Sequence, residues 1–234
     1  MELKILSLNV RLWTKENNPF KPHFWLWRTL KQAKLFHREN PDIICLQEVQ
    51  KPVGKFLLRL WKYKGFFTDT RIPIYIKKPL LQPSKGGYDF YPHFSGGTSK
   101  ENGHGTSSVD FYQPEAVHRS FSIQNCHHSW ETDKFTEEIK DGYWEPTIFC
   151  GDMNISRDRF IQQLKDITWL SDKELTVYPK TPEGPTYVSY GEPLKYRGDI
   201  DQFGYVGKNP PKAKVIILPD KVSDHFPILA TIEI

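Results

Sequence analysis

Residues 3–10, LKILSLNV, place apolar side chains on both alternating faces, as in a strand covered on its two sides. Such a strand needs a layer above and a layer below. A loop rich in Asn, Lys and Pro follows it, then a helical stretch over 24–37 with Leu26, Leu30 and Ala33 on one face. Asn40-Pro41 supplies the stop. Residues 43–46 read as a second strand. Val53, Phe56, Leu57, Leu60 and Trp61 then have the spacing of a short amphipathic helix.

Between 66 and 105, Pro, Gly, Ser and Lys are frequent, and only 72–76 suggests a strand. An irregular span of this length reads equally as a substrate-contacting surface or as elements whose pattern is too weak to read. Further strands are expected at 107–112, 121–126 and 147–150. A helix is expected over 157–170, with Ser156 as N-cap and Phe160, Ile161, Leu164 and Ile167 inward. The last strands read at 200–206, 215–218 and 228–234. Strands from end to end with few helices between them predict an α/β chain of the α+β type: a two-sheet β-sandwich flanked by outer helices. A doubly wound sheet would need a helix after almost every strand. One domain over residues 1–234 suits the length.

The chain is 38% hydrophobic and 26% charged, with a mean hydropathy of −0.57, the profile of a water-soluble globular protein. No apolar run approaches the roughly 20 residues that span a bilayer, so membrane insertion is not expected. The start lacks a basic, then apolar, then small-residue pattern, which predicts a cytoplasmic protein, or a secreted one if a leader was removed. Cys45, Cys126 and Cys150 lie in apolar runs and read as buried free thiols. A net charge of +4 and a pI near 8.8 tolerate an anionic substrate without demanding one.

Polar clusters interrupt the apolar runs, mostly where a strand should end. They are Asn9 and Glu48, then His127-His128, then Asp152 and Asn154 in GDMN. Asp199 and Asp201 in RGDID and Asp224-His225 in SDHFP complete the set. Singly, each has a plain explanation as a turn, a cap or a solvated pair. Together, at one rim of a sheet, they would share a pocket.

The ordered set LNV, LQE, a strand-end His, GDMN, DID and SDHFP resembles the endonuclease/exonuclease/phosphatase superfamily, the DNase I-like phosphoesterases. The resemblance spans nearly the whole chain, though 66–118 matches none of its motifs. It implies a DNase I-like sandwich, a divalent cation (Mg²⁺, with Mn²⁺ able to substitute) and hydrolysis of a phosphate ester. Mg²⁺ keeps several waters, so one or two carboxylates and amide oxygens suffice to hold it. Glu48 is the expected principal metal ligand, with Asn9 beside it and Asp224 completing an acidic patch. His225 is expected as general base or phosphoryl donor, partnered by Asp201. Asp152 would orient the water or leaving group, Asn154 would donate to a phosphate oxygen, and His127 would stabilise the phosphate or protonate the leaving oxygen. Which histidine is acid and which is base stays open. The registers Asp201 against Asp199 and His127 against His128 stay open as well, with the first of each pair fitting the family spacing better.

Arg11 stands where the abasic-site endonuclease branch carries an acid. With His127, this points to the branch holding DNase I, sphingomyelinases and inositol-phosphate phosphatases, and makes Arg11 a candidate substrate-binding residue. The expected partner is a phosphate-ester substrate, nucleic acid first, met by a monomer. A lipid headgroup, an inositol phosphate and a DNA–protein adduct are the alternative substrates. A non-catalytic binding module would be expected to lack one or more of these site residues, and all are present.

Overall fold

The computed structural model describes residues 2–11, 19–20, 24–50, 62–81, 89–93, 105–112, 119–128, 146–165, 175–188 and 197–234. At its centre β1 (Glu2–Asn9) pairs parallel with β2 (Ile43–Gln47) and antiparallel with β15 (Ile228–Glu233). β2 continues to β4 (Ile74–Lys77) and β3 (Tyr63–Phe66), and β15 continues to β14 (Ala213–Ile217) and β10 (Lys180–Thr181). The result is a seven-stranded sheet in the order β10-β14-β15-β1-β2-β4-β3.

The second sheet joins β5 (Asp89–His93), β6 (Gly105–Tyr112), β7 (Arg119–His127), β8 (Thr147–Asp152), β13 (Asp201–Val206) and β9 (Leu175–Val177), in that order. A separate ribbon pairs β11 (Tyr187–Val188) with β12 (Arg197–Gly198). The two larger sheets pack face to face. Leu3, Ile5, Ile43 and Ile74 from one meet Val109, Ile123, Ile148 and Phe203 from the other in one buried cluster. Strand alternation sends their neighbours outward. Leu6, Leu8, Ile44 and Leu46 meet Leu35 and Phe36 of α1 (Trp25–Glu39), while Cys126, Phe149 and Val177 meet Phe160 of α2 (Arg157–Lys165). The expected two-sheet sandwich with outer helices is the architecture found. All three thiols are buried and free, and burial pushes the Cys45 thiol well up.

Several element readings shift. α1 does not bury Leu30, which is 41% exposed; it buries Arg28, Thr29, Gln32, Leu35 and Phe36. The polar members face inward because they bond carbonyls: Arg28 Nη1 donates to Val10 O at 3.3 Å and Gln32 Nε2 to Val222 O at 3.0 Å. A hydrophobic count cannot see that arrangement. Asn40 does end the helix, in the left-handed conformation at φ 47°, with its N–H on Phe36 O at 3.0 Å. The strand expected from 200 begins at Asp201, and the short β3, β9, β10, β11 and β12 were not read from the sequence. The helix expected around 53–61, the rest of the 157–170 helix beyond Lys165 and most of 82–104 lie outside the described residues.

Candidate active site

Parallel pairing aligns strand ends, and this fold does so in each sheet. Asn9 lies opposite Gln47 where β1 meets β2, and His127 lies opposite Asp152 where β7 meets β8. Antiparallel β13 starts at the same rim, with Asp201 opposite Asp152. Glu48 follows β2 at φ 58°, a left-handed turn that takes its side chain off the strand line. Gly151 is needed for the approach of β7 to β8: at φ 142°, a Cβ there would stand 1.9 Å from Cys126 O.

Asn9 is fully buried and joins the two sheets. Its Nδ2 donates to Glu48 Oε1 at 3.0 Å and to Asp152 Oδ2 at 2.9 Å, while its Oδ1 accepts the Arg11 N–H at 2.9 Å. His127 Nε2 lies 3.7 Å from Glu48 Oε1 and 3.8 Å from Asp152 Oδ2. On the other side, His225 Nδ1 meets Asp201 Oδ2 at 2.9 Å and its Nε2 lies 3.7 Å from Asp152 Oδ2. The Tyr187 ring tilts against the His225 imidazole with centroids 4.9 Å apart. Below these groups, Gln47 Nε2 donates to Asn125 Oδ1 at 2.6 Å and Asn125 Nδ2 donates to Leu46 O at 2.8 Å. This tie fastens the sheets together one residue from Glu48 and two from His127.

The remaining candidates sit around this centre. Asn154, at φ 54°, donates its backbone N–H to Asp152 Oδ1 at 2.9 Å and its side-chain amide to His128 O at 2.6 Å. Between the paired alternatives, His127 faces the carboxylates, whereas the backbone carbonyl of His128 holds Asn154. Likewise Asp201 meets His225, whereas Asp199 pairs with Lys180. Asp224 accepts from Ser223 Oγ at 3.0 Å and pairs with Arg11 Nη1 at 3.1 Å.

Two groups of donor atoms, Glu48–His127–Asp152 and Asp152–Asp201–His225, each lie within 4.8 Å and could hold a metal ion; Asp224 belongs to neither among the described residues. Electrostatics make the same point. Burial pushes the Asp152 carboxyl above its usual range, and the Asp201 charge adds to this against the pull of both imidazoles and the Asn9 amide. For His225, burial favours the neutral ring, but Asp201 and Asp152, with Asp224 adding to them, outweigh it and push the imidazole up to about 10. A buried, anion-rich centre of this kind fits a hard cation, which would stabilise the ionised carboxylates.

A model of the Endonuclease/Exonuclease/phosphatase family matches residues 28–225, from within α1 to His225. The chain belongs to this family. Solved structures agree on the fold. TDP2 from C. elegans superposes with a TM-score of 0.68 at 17% identity, covering 100% of this chain and 76% of that one. TDP2 from D. rerio, complexed with a single-strand DNA product, gives 0.69 at 14% identity, covering 100% and 99%. A functionally unknown conserved protein from Enterococcus faecalis gives 0.68 at 17%, covering 99% of each chain. A comparison with curated proteins gave no match.

Three site-building residues escaped the sequence reading. Thr186 Oγ1 accepts the N–H groups of Ile200 at 3.1 Å and Asp201 at 3.0 Å. Lys180 grips the Asp201 carbonyl, and Asn125 ties the sheets. Only Asn125 carried a signal, since residues two apart in a strand share a face and His127 follows it by two.

Proposed function

We propose that this family member is a Mg²⁺-dependent phosphodiesterase acting on nucleic acid, with DNA as its preferred substrate. The observation that carries the proposal is the meeting of Asn9, Glu48, His127, Asp152, Asp201 and His225 at one rim. Glu48 and Asp152, with Asn9 bridging them, would hold Mg²⁺ or Mn²⁺. When bound, the cation supplies Lewis-acid polarisation of a phosphoryl oxygen.

The side chains supply the rest. The Asp201 carboxylate accepts from Nδ1–H of His225, which leaves Nε2 facing the site. As a charged ring, His225 donates from Nε2 to a phosphoryl oxygen; as a neutral ring, it takes the proton of the attacking water. Asp152 orients that water, held in turn by the Asn9 amide and the Asn154 N–H. Asn154 and His127 serve the phosphoryl oxygens and the leaving group, as in other phosphoryl-transfer sites that work by positioning and charge. Arg11, whose Nη1 pairs with Asp224 Oδ2, offers a guanidinium to a neighbouring phosphate.

Support for DNA comes from the basic pI and from fold likeness to TDP2 from D. rerio, which was solved in complex with a single-strand DNA product. The test is a turnover panel with Mg²⁺ and with EDTA: bis(p-nitrophenyl) phosphate, single-stranded DNA with a free or tyrosine-blocked 5′ phosphate, RNA, sphingomyelin and inositol phosphates. DNA cleavage that is abolished by EDTA, and in folded Glu48→Gln and His225→Ala, is expected. Activity confined to sphingomyelin or inositol phosphates would remove the nucleic-acid assignment. Full activity in both variants would remove the site assignment.

A further inference from the structure

The carboxylate that holds His225 belongs to the first residue of β13, where the sheet ladder is incomplete. Asp201 lies opposite Asp152, and the ladder bond beside them runs from Met153 N–H to Ile200 O at 2.9 Å. That is the pattern of a non-hydrogen-bonded antiparallel pair. In such a pair the side chains come close, which suits two carboxylates sharing a site. The backbone N–H and C=O groups of the pair point away from each other. Those of Asp201 therefore face the far edge of β13, where β9 would have to receive them. β9 stops short: it pairs with Gly204 to Val206, and among the described residues the last backbone bond on this edge joins Tyr178 N–H to Phe203 O at 3.0 Å.

Two side chains replace the missing strand. Thr186 Oγ1 accepts the Asp201 N–H at 3.0 Å, and Lys180 Nζ donates to the Asp201 carbonyl at 2.6 Å. Lys180 opens β10 in the other sheet, so its buried ammonium links the two sheets beside the His225–Asp201 pair. The same ammonium donates to Gln202 Oε1 at 3.0 Å and pairs with the Asp199 carboxylate. Gln202 Nε2 closes the network on Asp199 O at 2.7 Å. A buried carbonyl left unpaired is costly, so the chain is held where Lys180 can reach it.

We propose that Lys180 is a positioning residue for the hydrolytic reaction: by carrying the Asp201 carbonyl that β9 does not reach, it sets where the Asp201 carboxylate meets His225 Nδ1. The proposal rests on reading the Asp201–His225 pair as the proton-handling group. A lysine with a merely structural role would change stability and leave that pair as it is.

The discriminating readout is the proton between His225 Nδ1 and Asp201. It is followed as a low-field proton resonance in the metal-free full chain and assigned by its loss in His225→Gln. In folded Lys180→Met the resonance is expected to shift or vanish. Hydrolysis of bis(p-nitrophenyl) phosphate in Mn²⁺ should lose about 10- to 100-fold in kcat, the usual scale for a supporting partner, with KM unchanged. Lys180→Arg, which keeps a charged donor, should restore both in part. Asp199→Asn, at a partly exposed position, should give the same changes in smaller degree, and it decides the matter if Lys180→Met does not fold. An unmoved resonance with unchanged kcat in the folded variants overturns the proposal. A wild-type protein inert towards every phosphodiester would instead overturn the functional reading, while the resonance still decides the role of Lys180.

Discussion

At Gly151 the backbone of β8 runs so close to β7 that a methyl group would stand 1.9 Å from the Cys126 carbonyl, at a φ of 142° that L side chains rarely adopt. Gly151→Ala must therefore push two paired strands apart, one residue before Asp152. A cost of about 1–3 kcal/mol is expected for such overpacking, or a fall of about 2–4 °C in Tm per kcal/mol for a domain of this size, measured by thermal melting. An unchanged Tm would mean that the strands part more easily than their register implies. At this scale the sequence spoke unevenly. The residue types of the cluster were legible because Asn, Asp, Glu and His interrupt apolar runs. Lys180 was not legible, since a lysine before a Thr-Pro pair reads as a solvated loop residue. Its burial depends on a carbonyl that is 21 positions away in the sequence.

Among the elements, α1 separates hydrophobic pattern from actual docking. Phe36 is fully buried against the outer face of the first sheet, whereas Leu30 is 41% exposed. Phe36→Ala is expected to cost about 3–5 kcal/mol, and Leu30→Gln to stay within about 0.5 kcal/mol, both read as shifts of the urea midpoint. A large effect at Leu30 would restore the helix face expected from periodicity alone. Strong strands such as β1, β2, β8 and β15 were readable to within a few residues. Their apolar runs are long, and burial on both faces leaves a clear signature. The short β9 to β12 were not, because two or three residues carry no period and owe their conformation to a neighbour.

For the whole molecule, the coupling of protons to metal follows from the crowding of carboxylates around His225. Without a cation, the imidazole is held charged up to a pH of about 10, above the ordinary histidine value of about 6.5. A raised pKa stabilises the fold fully below the unfolded value and loses that contribution as pH rises through about 10. A divalent cation at the same carboxylates weakens their hold on the proton. Binding of Mg²⁺ or Mn²⁺ at pH 8 is therefore expected to release protons. Titration calorimetry in two buffers of different ionisation enthalpy measures this directly, and equal heats in both would show that the metal and the His225 proton do not compete.

The amino-acid order alone determined which residue types could do chemistry, the strand-rich class and the family likeness. Apolar runs and their polar interruptions are local, one-dimensional signals. The tertiary structure alone decided which member of each close pair faces the centre and which polar side chains carry the backbone at the site. Those outcomes depend on where one strand ends relative to another: β9 stops before Asp201, and the groups left over must find partners from elements distant in sequence.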